Sequence, residues 1–187
     1  PAVAELTLGL IMDLLRKISV QNNQLKIGTW NKRMGSLLTG KTLGLIGLGT
    51  IAKKLVEISQ GFDLKYLAHD IQQDKGFKKK YNIKYCKLNE LLSSSDVVSI
   101  HLSLSKETKN IIGCDALKKM KQDAILINTS RGEVIDEKAL VEALDLVQIS
   151  GAGLDVYREE PYKGPLLHYE NVITTPHIGA YAKEIRM

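Results

Sequence analysis

GLIGLGTIAKKL, residues 44 to 55, sets the fold. A short apolar run ends at Gly47, continues as Gly47-x-Gly49-x-x-Ala52, and passes into residues with helical spacing. In such a strand-turn-helix unit Gly47 makes the tight turn, Gly49 removes the side chain that would hold a pyrophosphate away, and Ala52 lets the helix pack close to the sheet. The amides of Thr50 and Ile51 then lie at a helix N-terminus, where the backbone dipole favours negative charge. Asp70 ends the next apolar run 23 positions after Gly47, near the spacing at which an acid accepts hydrogen bonds from a ribose. That carboxylate would repel a 2'-phosphate, so the expected cofactor is NAD. Lys75 and the run Lys78 to Lys80 would soften the preference if they fold back.

Outward from this unit the pattern repeats. Apolar runs TLGLI at 42, LKYLA at 64, IKYC at 83, DVVSI at 96, AILIN at 124, ISGAGL at 149 and NVITT at 171 alternate with helix-like segments such as 50–59 and 136–146. Runs without in-out alternation suit strands covered on both faces. The expected fold is therefore α/β, a doubly wound, mainly parallel sheet of about seven strands. Ahead of it, Val3, Leu6, Leu10, Leu14 and Ile18 recur at helical spacing over residues 2 to 19, followed by a linker to residue 40. The expected division is 1–40 as connecting helix and linker and 41–187 as the nucleotide-binding domain. The ending AKEIRM still reads as helix, so the chain is expected to be a piece of a longer protein.

Composition narrows the function classes. With 44% hydrophobic and 25% charged residues, the chain can build one substantial core. The net charge of +5 is scattered, and its one dense run, Lys78 to Lys80, reads as solvated surface, not as a nucleic-acid site. Cys86 and Cys114 lie 28 positions apart without metal-ligand or redox spacing, so no metal is expected and a reducing cytoplasm fits. The apolar stretch LTLGLIM is cut by Asp13 well short of a membrane span.

Polar residues collect after the strands, where open parallel sheets hold their ligands. Arg131, in LINTSRGEVIDEKAL, follows strand five; Asp155 follows strand six with Glu160 five residues on; His177 follows strand seven. A guanidinium fork matches a carboxylate bidentately, and histidine is the side chain suited to proton exchange near neutrality. His69 and His101 read as structural or cofactor-adjacent, and His168 as a loop surface residue.

These segments, with VAELTLGLIMDLLRKI, LNELLSSSDVVSIHLSLSKET, GLDVYREEP and TPHIGA in order, resemble the D-isomer-specific 2-hydroxyacid dehydrogenases. The resemblance implies an NAD-dependent oxidoreductase moving a hydride between nicotinamide and a D-2-hydroxyacid or 2-keto acid. It gives Arg131 the substrate carboxylate, His177 the proton on the substrate oxygen, and Glu160 a hydrogen bond to His177. Thr129, Asp155 and His177 join Gly47, Gly49, Thr50, Ile51 and Asp70 as cofactor contacts. It further implies a homodimer and a smaller substrate domain absent from this sequence. ENVITTPHIGA followed by KE leans towards phosphoglycerate dehydrogenase. The family's NAD-sensing corepressors give the alternative of a binding protein without turnover. The sequence departs from the family pattern at His101-Leu102-Ser103, where the usual proline is missing, and at Ala52, which replaces the commoner third glycine.

Overall fold

The computed structural model describes residues 1–185. Seven parallel strands form one sheet: β1 (Thr42–Ile46), β2 (Lys65–His69), β3 (Lys84–Tyr85), β4 (Val97–Ile100), β5 (Ile125–Asn128), β6 (Gly151–Leu154) and β7 (Val172–Thr174). Their order is β3-β2-β1-β4-β5-β6-β7. The chain winds outward from β1 in one direction and then returns to the other side of it. The β1/β4 boundary is thus the switch point where a ligand crevice opens beyond the strand ends.

Burial explains the missing alternation, since every residue of β4, β5 and β6 is buried. On one face α1 (Ala2–Arg16) and α3 (Thr50–Ile58) cover the sheet, with Leu10, Ile11, Leu45, Leu55 and Ile127 in one cluster. On the other, α5 (Leu88–Ser94), α6 (Cys114–Leu117) and α7 (Glu137–Asp145) pack Leu91, Leu92, Leu117, Leu126 and Leu140 together. Each such side chain contributes about 1.5 to 3 kcal/mol by leaving water. Helix α7 starts at Asp136, whose carboxylate accepts the amides of Lys138 and Ala139.

The structure revises the N-terminal reading. The expected helix over 2–19 breaks at Lys17, which adopts the left-handed conformation (φ 55°), and α2 (Ile18–Lys26) takes a new direction. The cause is Asp13. Its carboxylate accepts the Ser19 amide at 2.7 Å and the Ser19 hydroxyl, acting as a cap supplied by the preceding helix. Residues 18–26 are therefore helical, and the irregular linker begins at Ile27. It is tied back by Ser36 N–H to the Leu15 carbonyl at 2.8 Å and by the Arg33–Glu170 ion pair. The apolar face of α1 is not left open either, because it packs on α3, β5 and β6 of the same core. At the other end the expected helix reduces to one 3-10 turn, Lys183–Ile185, and residues 186 and 187 lie outside the described residues. Helix α4 (Lys75–Tyr81), which carries the lysine run, is capped by Asp74 through the Phe77 amide at 2.9 Å.

One close approach shapes the sheet's C-terminal edge. A Cβ at Gly132 would fall inside the backbone of Tyr157 and Arg158, so the turn after β5 and the segment after β6 touch main chain to main chain. Gly132→Ala should lower the unfolding free energy by about 1 to 3 kcal/mol, as forced overpacking does. Gly9→Ala, exposed in α1 with nothing near its Cβ, should raise it by about 0.5 to 1 kcal/mol. Urea denaturation of the two variants measures both; equal values would show that the Gly132 contact gives way freely.

Candidate active site

Because all strands are parallel, the residues after them stand along one edge, and the backbone ladder continues past the strands to hold them. Gly47 N–H donates to the His69 carbonyl at 2.8 Å, His101 N–H to Ile46 at 2.8 Å, Asp155 N–H to Asn128 at 3.0 Å and Thr175 N–H to Leu154 at 2.9 Å.

Gly47 has φ +88°, and a Cβ there would lie 2.7 Å from the His101 carbonyl oxygen, so the turn admits no side chain. Gly49 faces open space and is the N-cap of α3, whose first turn, beginning with Thr50 and Ile51, has no side-chain cap. Uncapped amides beside a side-chain-free concavity are what a pyrophosphate needs, and the residues present fit a dinucleotide. Asp70 does more than the sequence suggested. Its Oδ2 accepts the Leu48 amide at 2.6 Å and its Oδ1 the Gln72 amide at 2.8 Å, so the acid expected to meet the ribose braces the glycine turn. Below the turn His101 is a half-buried, neutral imidazole: the loss of water around the ring pushes its pKa down to about 4, and Nε2 meets the Ser99 hydroxyl at 2.9 Å. Among the described residues its Nδ1 has no partner. His69 Nδ1 lies 3.1 Å from the Cys86 carbonyl at the end of β2.

After β5 the chain turns on Asn128, a side chain only 1% exposed. Its Oδ1 accepts the Ser130 amide and hydroxyl at 3.0 and 2.8 Å, and its Nδ2 donates to the Arg131 carbonyl at 2.9 Å. That side-chain turn presents Arg131 on the exposed surface, with Nη1 resting on the Ser130 carbonyl at 2.6 Å. Sequence reasoning missed both Asn128 and Gly132; an asparagine two residues before a serine at a strand end is the signal that pointed to the first. Thr129 is largely buried, and its hydroxyl meets Thr7 of α1 at 2.9 Å. Since Thr7 already donates to the Val3 carbonyl, Thr129 is the donor, and this bond fastens α1 to the β5 turn.

Glu160 and His177 come together as expected: His177 Nδ1 is 2.8 Å from Glu160 Oε2, while Oε1 accepts the Tyr157 amide at 3.1 Å. The hydrogen bond from His177 holds the Glu160 carboxyl below its ordinary range. A carboxylate facing Nδ1 favours the tautomer with the proton on that nitrogen, which leaves Nε2 as the nitrogen able to accept one. Beside the pair Tyr157, Tyr162, Leu167 and Pro176 line a largely apolar recess. The rings of Tyr157 and Tyr162 stack at 4.4 Å, and burial pushes the Tyr157 phenol up to about 12, so it stays protonated and lies 3.0 Å from the Leu154 and Thr175 carbonyls. Asp155 is 1% exposed and directs its carboxylate at residues 175–179. His168 is exposed in a separate 3-10 turn, Pro165–His168, beside the α2 side of the domain.

No described helix is long and apolar enough to cross a membrane. The chain is 41% identical over 194 residues to a glyoxylate reductase of Thermofilum pendens, covering 99% of this chain and 57% of that protein. It is 41% identical to a D-3-phosphoglycerate dehydrogenase of Methanocaldococcus jannaschii, with 98% and 36% covered. The crystal structure of an Aquifex aeolicus D-lactate dehydrogenase complexed with NAD and lactic acid superposes with a TM-score of 0.91 at 31% identity, covering 100% of this chain and 62% of that one. This chain thus spans less than two thirds of the proteins it matches. Residues 8–179 match the NAD-binding domain of the D-isomer specific 2-hydroxyacid dehydrogenases. With the glycine turn, Asp70 and the paired Glu160 and His177 on one sheet edge, the chain belongs to that family, as its NAD-binding domain.

Proposed function

We propose that the whole protein is an NAD-dependent D-2-hydroxyacid dehydrogenase whose smaller substrate domain lies outside this sequence. The observation that carries the reading is the His177–Glu160 pair at 2.8 Å, on the same strand edge as the Arg131 turn and the Gly47 turn. NAD supplies hydride exchange at the nicotinamide ring. The rest falls to this chain. The Arg131 guanidinium grips the substrate carboxylate in two parallel hydrogen bonds and so orients C2 and its oxygen. His177 Nε2 hands a proton to the carbonyl oxygen in reduction and takes one from the hydroxyl in oxidation, while Glu160 holds the ring in one tautomer and orientation.

The two relatives at 41% identity bear the names of different substrates, so the substrate class is a small 2-keto acid, with 3-phosphohydroxypyruvate one member to test beside glyoxylate and hydroxypyruvate. A homodimer belongs to the same reading and is supported by Trp30 and Met34, 79% and 90% exposed on the linker; a monomeric mass in sedimentation of the full-length protein would remove it.

The full-length protein should oxidise NADH with at least one keto acid of that panel, and binding without turnover would return it to the corepressor-like alternative. Arg131→Lys should lower kcat/KM roughly ten- to a hundredfold, since the loss of charge-assisted bonding is about 1.5 to 3 kcal/mol, with NADH affinity unchanged. Parental kinetics in that variant would leave Arg131 as surface.

Asp70→Ala removes both the ribose acceptor and the partner of the Leu48 amide. NADH should bind more than about tenfold more weakly, and the NADPH to NADH ratio should rise without NADPH reaching the parent's affinity for NADH. Titration with both cofactors decides it, an unchanged ratio meaning that the ribose is held elsewhere.

A further inference from the structure

Lys53 stands in the first turns of α3, where its amide donates to the Gly49 carbonyl at 2.9 Å. Its ammonium crosses to the segment that follows β2 and meets Asp74 Oδ2 at 2.6 Å, with the Phe77 ring 5.4 Å from the same nitrogen. Asp74 is fixed on its own account. Its Oδ1 caps α4 by accepting the Phe77 amide at 2.9 Å, and its amide donates to the Tyr85 hydroxyl at 3.0 Å. The hydrogen bond from Lys53 holds the Asp74 carboxyl below its ordinary range, so the pair stays charged near neutrality. Both side chains are partly exposed, and an ion pair of that kind adds little to stability. What it settles is where a cation stands.

The pair joins the two segments that carry Gly49 and Asp70. Asp70, whose Oδ2 accepts the Leu48 amide, lies four residues before Asp74. The lysines of the run 78–80 occupy the last turn of α4, away from its capped end, with Lys80 on the Tyr81 ring at 4.8 Å. Lys75 opens α4 and is exposed. Asp70 and Asp74 together outweigh Lys53 here, so the corner stays negative.

We propose that Asp74 is a second determinant of cofactor choice: it takes up Lys53, the first lysine of α3, and so withholds that ammonium from the 2'-phosphate of NADP. The proposal rests on the reading of Asp70 as the acid that meets the ribose, and extends it to a residue that acts through Lys53. A phosphate monoester brings about −1.5 to −2 charge, which an unpaired lysine at this corner would meet and a paired one does not.

Asp74→Asn in the full-length protein keeps the helix cap, because asparagine accepts the Phe77 amide as aspartate does, but it gives up the charge that holds the ammonium. Fluorescence titration should show the NADPH to NADH affinity ratio rising roughly three- to tenfold, with the NADH Kd within about twofold of the parent. Asp74→Ser, another uncharged cap, should move the ratio the same way and serves if the asparagine variant does not fold. The gain should shrink at high ionic strength and vanish when Lys53→Gln is added to Asp74→Asn, which a change of helix packing alone would not do. A ratio unchanged in both capping variants would overturn the proposal. So would a gain that survives Lys53→Gln, since the phosphate would then be met by another cation such as Lys75. Asp70→Ala, measured alongside, separates the two ideas: an unchanged ratio there means that the reading of Asp70 fails, whereas a ratio that rises there and in neither Asp74 variant removes only the role of Asp74.

Discussion

The hydrogen bond from the Asp155 amide to the Asn128 carbonyl, 3.0 Å long, carries the parallel ladder one residue beyond the β5–β6 pair. Similar bonds do so beyond β1–β2, β1–β4 and β6–β7. Sheet regularity therefore reaches into the turns, and Gly47, His101, Asp155 and Thr175 start from positions fixed by the stiffness of a β-ladder. A site assembled on turns with such roots needs only local side-chain bonds to finish it. Asn128 supplies them for Arg131, Asp70 for the Gly47 turn, Asp155 for residues 175–179 and Glu160 for His177.

Charge is handled differently at the two ends of this edge. Beneath the glycine turn the titratable group is His101, kept neutral by the loss of water around its ring, so it adds no charge there. At the other end the Glu160–His177 pair is half exposed, His177 at 52% and Glu160 at 37% of their side chains. An exposed hydrogen-bonded pair of that kind contributes little to stability in water. Its effect is on the orientation of the imidazole.

Most of the architecture was legible in the chain because it rests on local signals. All seven strands coincide with continuous apolar runs, and the Gly47 turn, Asp70, Glu160 and His177 occupy the positions that strand ends predict. What stayed hidden is what depends on contacts between distant segments. The break at Lys17 is invisible to apolar periodicity, since it arises from Asp13 reaching forward to Ser19. The short helices α4, α5 and α6 are too brief to show a period. Gly132 reads as an ordinary turn glycine until Tyr157 is found against it, and the bonds that Asp155 accepts from residues 175–179 span more than twenty positions for its two amide donors. Thr129 shows the same limit: its neighbour, Thr7, lies 122 positions away.

The double engagement of Asp70 bears on how this domain can change over time. A lineage moving towards a phosphorylated cofactor would have to give up the carboxylate, yet the Leu48 amide it accepts belongs to a residue only 4% exposed and would be stranded without an acceptor. A stranded buried amide costs about 1 to 3 kcal/mol. If Asp70 holds the ribose, cofactor preference is tied to the shape of the Gly47 turn. Escape requires two coordinated replacements, one to admit the extra phosphate and one to restore an acceptor for Leu48, and single-step intermediates pay in fold stability before any new specificity appears.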